Sequence, residues 1–189
     1  MITNIPTQIP IFIPNVPFYS QFKDIKSLSW QKVGCGVTSL AMVINYYKPS
    51  SVTANDLLVR GVAAGAYDKN AGWIHRDLIA LSEKYELSGK SYDVSGLTKT
   101  ESFDKFKKYL NDGPVIVSIH YKFDPKSFIP HLVVIEGVDG DTLYYNDPAG
   151  VSGQKKISIV DFQKGWKKKF IVVRPMVAKS KVLSYTSST

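Results

Sequence analysis

The spacing of apolar residues changes near the middle of the chain. Up to about residue 112 they recur at helical intervals, and beyond Pro114 they gather in short β-branched runs. In CGVTSLAMVINYY (35–47), Val37, Leu40, Ala41, Ile44 and Tyr47 follow the i, i+3, i+4, i+7, i+10 rule, and Lys48-Pro49 ends the helix. Thr53 is placed to cap a second helix over 54–64, with Asp56 three positions on and Leu57, Leu58 and Val59 behind it. Ile74, Leu78, Leu81 and Tyr85 form one stripe and predict a third helix over 73–86. The glycines and serines of 88–96 close that half. A fourth helix, about 100–111, carries Phe103, Phe106 and Leu110 and stops at Asp112-Gly113-Pro114.

The second half reads as strands. PVIVSIHY (114–121), HLVVIEGV (131–138) and DTLYYND (141–147) are β-branched and apolar, and KKISIVDF and KFIVVRP add strand material around 156–160 and 169–174. Helices first and an antiparallel sheet second predict an α+β fold. Proline alternates with apolar residues over 1–15, which predicts an extended N-terminal segment. Residues 16–175 form one domain, and 176–189 read as a frayed tail.

Composition narrows the function classes. The chain has 189 residues, 44% of them hydrophobic, 12% aromatic and 21% charged, which suits one globular domain and excludes collagen, coiled coil and disorder. Its net charge of +8 invites a polyanion partner, but the lysines are scattered apart from KGWKKKF (164–170) and KFKK (105–108). With no nucleic-acid fold signature or stacking platform beside them, the expectation is a solvated basic face and no nucleic-acid partner; attraction to anionic surfaces is the rival reading. No window of about 18 apolar residues predicts a membrane span. The N-terminus has no basic n-region and is interrupted by Pro6, Pro10 and Pro14, so no signal peptide is expected. The default compartment is then the cytoplasm, or an exported one if the chain is processed. Oligomeric state is not encoded, and a monomer is assumed.

The single cysteine, Cys35, rules out intramolecular disulfides and polythiolate zinc sites, and His75, His120 and His131 show no metal-binding spacing. No metal and no cofactor are expected. Cys35 opens the first predicted helix between Gly34 and Gly36, which leave room for a close approach by backbone or substrate. Free amides and the helix dipole at that end favour a thiolate. The competing reading is a small buried hydrophobe.

His131 and Asp147 add a geometric expectation. A three-residue hairpin loop at Val138-Asp139-Gly140, with Gly140 left-handed, would oppose residues whose numbers sum to 278, pairing His131 with Asp147, Val133 with Tyr145 and Ile135 with Leu143. Opposed Cβ atoms lie about 4.5–5.5 Å apart, so the carboxylate can orient the imidazole and leave its other nitrogen for a thiol. Each residue also has a structural reading, His131 as a strand-edge polar group and Asp147 as the turn initiator of Asn146-Asp147-Pro148. His120, on a predicted central strand, has no carboxylate across a short hairpin and ranks below His131 as a base.

VPFYSQF (16–22), CGVTSLAMVINYY (35–47), GWIH (72–75), GPVIVSIHY (113–121), HLVVIEGVDGDTLYYNDPAG (131–150) and KISIVDFQKGW (156–166) together resemble the peptidase C39-like family of papain-fold cysteine proteases, over about residues 16–175. The resemblance implies a papain-like fold with Cys35 as nucleophile, His131 as base and Asp147 as its orienter. It also implies an oxyanion-binding glutamine, which is Gln21 in YSQF with Gln31 in reserve, since Ser29 stands six residues before Cys35. The Cys35 amide is the second donor. Gly34, Gly36, Trp73 and His75 are the candidate substrate-binding residues, although a tryptophan and histidine at a helix start also serve packing and capping.

The expected activity is a cysteine peptidase or amidase acting on a peptide or protein through a thioester acyl-enzyme. The alternatives are an acyltransferase on the same triad and a non-catalytic peptide-binding module. The family's best-known branch cleaves double-glycine leaders at the front of an export transporter. Without a membrane segment or a GxxxxGK[ST] motif, this chain reads instead as a free-standing peptidase.

Overall fold

A computed structural model describes residues 13–176. The central element is helix α3 (Cys35–Tyr47), which begins and ends where the sequence predicts. Every residue from Gly36 to Asn45 is buried, because CGVTSLAMVINYY is apolar or small on all sides and the helix lies between other elements. Two four-residue helices, α1 (Gln21–Asp24) and α2 (Leu28–Gln31), precede it. Behind it lie α4 (Ala54–Ala63), a small hairpin of β1 (Tyr67–Asp68) and β2 (Gly72–Trp73), and α5 (His75–Glu83). Thr53 caps α4 as expected, its hydroxyl accepting from the Asp56 amide at 3.0 Å. The third predicted helix starts two residues late because Gly72 and Trp73 are drawn into the hairpin with Asp68 and Tyr67.

The second half is built on one six-stranded antiparallel sheet. It comprises β3 (Leu87–Asp93), β4 (Val115–His120), β5 (Pro130–Asp139), β6 (Thr142–Asn146), β7 (Lys155–Ser158) and β8 (Trp166–Pro175), ordered β3-β8-β4-β5-β6-β7. Helix α6 (Lys99–Leu110) connects β3 to β4, held by a Thr98/Glu101 capping box, and α7 (Ile159–Gly165) connects β7 to β8. The architecture is α+β, as expected.

Both faces of the sheet are covered, which explains the continuous apolar runs in its central strands. Ile116, Leu132, Val134, Ile171 and Val173 pack with α3, α4 and α5. The alternate residues Val115, Val117, Val133, Ile135, Phe170 and Val172 pack with Phe103, Phe106 and Phe162 of α6 and α7. Phe106 and Phe162 are fully buried and stacked, with ring centroids 5.4 Å apart.

Three readings need correction. The glycines and serines of 88–96 read as the close of the helical half and predict no strand, yet Leu87–Asp93 forms edge strand β3; only Leu87 is buried, so its polar pattern gives no apolar alternation and pairing with β8 decides the state. The strand material at 156–160 ends at Ser158, which caps α7 by accepting from the Asp161 amide at 3.0 Å. The third concerns the hairpin. Asp139 pairs with Thr142, closing a two-residue turn on Gly140 (φ 52°) and Asp141, and Glu136 is an extra residue between the pairs Ile135/Tyr145 and Gly137/Tyr144. The expected pairs summing to 278 therefore do not form. Of the expected N-terminal segment and C-terminal tail, 1–12 and 177–189 lie outside the described residues. Ile13–Tyr19 has no regular structure, and its Val16 is buried, with its carbonyl accepting from Asn146 at 3.0 Å.

Replacing Phe106 by Ala should cost about 3–5 kcal/mol, the range for removing a fully buried aromatic ring, read as a lower urea midpoint at unchanged slope.

Candidate active site

Cys35 is the first residue of α3, half-buried in the lining of a cleft of about 820 Å³ between the helical half and the sheet. The turn ahead of it is fixed from two sides. The Trp73 indole donates to the Val33 carbonyl at 2.6 Å, and Gln21 Nε2 donates to the Gln31 carbonyl at 2.7 Å. The space beside the flanking glycines is already occupied by protein. A Cβ on Gly36 would lie 2.5 Å from the Trp73 ring, and one on Gly34 would run into the Ile25 side chain. Neither glycine lines the cleft, whereas Trp73 and His75 both do.

His131 enters from β5 and reaches the same space, only 5% exposed. Its Nε2 lies 2.7 Å from Asp147 Oδ1, leaving Nδ1 for the Cys35 sulfur. The pair forms although the expected register does not. Val134 pairs with Asn146, so Asp147, just past the end of β6, is offset diagonally from His131 instead of standing opposite it. The turn after Asp147 makes up the difference: Asp147 Oδ1 also accepts from the Ala149 amide at 2.9 Å, its carbonyl accepts from Gly150 at 2.8 Å, and Lys155 Nζ stands 4.0 Å from Oδ2. Tyr121 packs edge-on against the imidazole, at a centroid distance of 5.3 Å.

The same turn carries Gln21. The Gln21 amide donates to the Pro148 carbonyl at 2.8 Å, and Ser20 Oγ donates to the Gly150 carbonyl at 3.1 Å. Gln21 is 3% exposed, lines the cleft with Cys35, and leaves its Oε1 without a partner among the described residues. Gln31 is turned elsewhere, donating to the Ile25 carbonyl at 2.8 Å. It supports Gln21 through its own carbonyl and does not line the cleft.

Sequence reasoning overlooked Ser39, one turn along α3 from Cys35, whose hydroxyl donates to the Leu132 carbonyl at 3.2 Å. That bond ties the cysteine helix to the residue after His131. A serine four positions from the cysteine on a buried helix was the available signal. His75 Nε2 meets Ser118 Oγ at 3.1 Å, and burial followed by the charge of Lys169 lowers its pKa. His120 Nδ1 bonds the Ser127 carbonyl at 2.8 Å and does not line the cleft.

Burial opposes a charge on His131, but its hydrogen bonds to Asp147 and Cys35, with the negative charge of both groups, push its pKa up to about 9. Burial likewise opposes the Asp147 carboxylate, and the bond to His131 with its charge prevails, so that pKa falls below its ordinary value. Among the described residues no group of His, Cys, Asp and Glu is placed to hold a metal ion, and no helix is long and apolar enough to cross a membrane.

A sequence model of the Peptidase_C39 like family matches residues 13–171. Among curated proteins, the uncharacterized protein YvpB of Bacillus subtilis (strain 168) is 27% identical over 168 residues, covering 71% of this chain and 65% of its own length. The chain thus spans about two thirds of that relative. Among solved structures, a double glycine motif protease from an AMS/PCAT transporter, in complex with the leader peptide, is 25% identical, with TM-score 0.60 over 87% of this chain and 94% of its own. A putative C39-like peptidase from Bacillus anthracis shares the fold at 20% identity, with TM-score 0.61 over 86% of this chain and 96% of its own.

The raised His131 pKa makes a stability prediction. Its contribution is fully present below the unfolded value near 6.5 and is lost as pH rises through about 9. The Asp147 contribution is present above the unfolded value near 3.8 and is lost as pH falls through the lower folded one. Urea midpoints of the parent should therefore decline toward pH 9 more steeply than those of Asp147→Asn, and NMR titration of that variant should place the His131 pKa well below 9.

Proposed function

Because the chain belongs to the Peptidase_C39 like family, we propose that it is a cysteine peptidase that hydrolyses a polypeptide through Cys35, His131 and Asp147. The observation that carries this reading is the buried imidazole shared between the Asp147 carboxylate, at 2.7 Å, and the sulfur of Cys35. A charged imidazole beside a cysteine sulfur favours attack by that sulfur, and the helix N-terminus acts in the same direction. The Cys35 sulfur attacks the substrate carbonyl carbon and the C=O electron pair moves to oxygen. The Cys35 amide and Gln21 Nε2 donate to that oxyanion. As the C–N bond breaks, His131 Nδ1–H protonates the departing amine, leaving a thioester. His131, now neutral, takes a proton from water; hydroxide displaces the sulfur, and the carboxylic product leaves with the thiolate–imidazolium pair restored.

Asp147 acts by holding the imidazole in one tautomer and supporting its charge. The leader peptide bound to the double glycine motif protease favours a polypeptide as the substrate class here also.

Cys35→Ala should abolish labelling by a peptide aldehyde or iodoacetamide, since Cys35 is the single thiol of the chain, together with all amidase activity; persistent activity would sink the proposal. Asp147→Asn should lower kcat by about 10²–10⁴-fold by selecting the wrong tautomer. The parent's kcat/KM should decline above about pH 9, where His131 loses the proton owed to the leaving amine. An added amine that captured most of the acyl group would assign acyl transfer in place of hydrolysis.

A further inference from the structure

The basic run 164–170 has no part in the triad, and the sheet divides it. In the β4/β8 ladder Ser118 pairs with Lys169 and Ile119 with Trp166, so Lys167 and Lys168 are bulged out. Lys168, at φ 54°, reaches the Leu97 carbonyl at 2.8 Å, while Lys167 and Lys169 line the cleft. Across from them, Lys32 stands just ahead of Cys35 and Lys69 projects from the β1–β2 turn, both lining the cleft and both exposed. Among the described residues that line the cleft there is no Asp or Glu.

Three of these four lysines stand without a carboxylate partner among the described residues. Lys169 bonds Asp93 at 3.1 Å, an exposed pair of little strength. Lys32, Lys69 and Lys167 have no carboxylate within 4.0 Å among the described residues. Asp68, beside Lys69, turns Oδ1 to the Asn70 and Ala71 amides, 2.8 Å each, and does not line the cleft. Asp147 is committed to His131 and faces Lys155 at 4.0 Å. A low-dielectric cleft lined by one sign of charge focuses field and attracts the opposite sign.

Resting on the peptidase reading, we propose that the cleft selects polypeptide segments carrying Asp and Glu around the bond to be cleaved, with Lys32 and Lys69 on one wall and Lys167 and Lys169 on the other as specificity-determining residues. A chain threaded between the two halves meets cations on both sides of Cys35. One exposed ion pair alters affinity by roughly 1.5- to 5-fold, so several acting together reach about tenfold at low salt.

The test uses the full chain with Cys35→Ala, which binds without turnover, and three fluorescent peptides that differ only in flanking Glu, Gln or Lys. Anisotropy should rank Glu about tenfold tighter than Gln at low salt, with Lys weakest and the gap closing near about 0.5 M salt. Adding Lys69→Glu and Lys167→Glu leaves two lysines against two glutamates and should erase the ranking, while Lys108→Glu on α6, outside the cleft, should leave it intact. Equal binding of the three peptides would overturn the proposal. So would a Lys108→Glu effect as large as that of the cleft pair, or displacement of the Glu peptide by polyphosphate as strong from the cleft double variant as from Cys35→Ala alone, since either assigns the attraction to the whole basic surface. Should the double variant misfold by circular dichroism, Lys69→Gln and Lys167→Gln, both charge removals on accessible side chains, serve the same comparison. Loss of the acidic preference with Cys35 still labelled in the parent removes this specificity alone, whereas failure of labelling removes the peptidase reading itself.

Discussion

The burial of α3 along its length is the constraint on which the rest depends. A helix enclosed from Gly36 to Asn45 must be matched by apolar surface all round, and α4, α5 and the inner face of the sheet supply it. Because such a helix cannot shift without opening the core, its first residue is held at a fixed depth. Cys35 thereby sits at the one end of the helix that reaches the cleft. Gly36 belongs to the same constraint: it lets the Trp73 ring lie against the helix, and that ring in turn clamps the Val33 carbonyl.

The site is assembled by short-range tethers between segments remote in sequence. Ser39 binds the Leu132 carbonyl, the turn after Asp147 binds the backbone of Gln21, and Gln21 binds the loop leading to Cys35. These bonds link α3, β5, the β6–β7 turn and the N-terminal segment in a closed circuit around the cysteine. Asp147 and Cys35 flank the buried imidazole inside that circuit and raise its pKa, where burial alone would have lowered it. The lysines lining the cleft take no part in that circuit.

Much of the fold was legible because its apolar periods are strong. The α3 pattern, the Thr53 cap and the β4 and β5 runs all lie where the residues indicate. Edge strand β3 was not legible, since LSGKSYD exposes most of its side chains and is held mainly by main-chain pairing to β8. The hairpin register escaped too. Glu136, a buried carboxylate at the bulge whose pKa burial raises to about 7, occupies an apolar-looking run, and nothing local marks it as the inserted residue. The two glutamines were likewise ambiguous, because either could reach Cys35 until the loop between them had a shape.

By itself, then, the amino-acid sequence determined the fold class, the helix that opens on Cys35, and the residue types able to support acyl chemistry, because helix and strand periods and side-chain chemistry are local properties. Only the tertiary structure decided which glutamine lines the cleft, that Asp147 reaches His131 diagonally across a bulged hairpin, and that two lysines of a basic run join Lys32 and Lys69 around one cleft. Those outcomes depend on ladder register and on contacts between distant segments. A one-residue shift in pairing changes which side chains meet, and no local pattern records that shift.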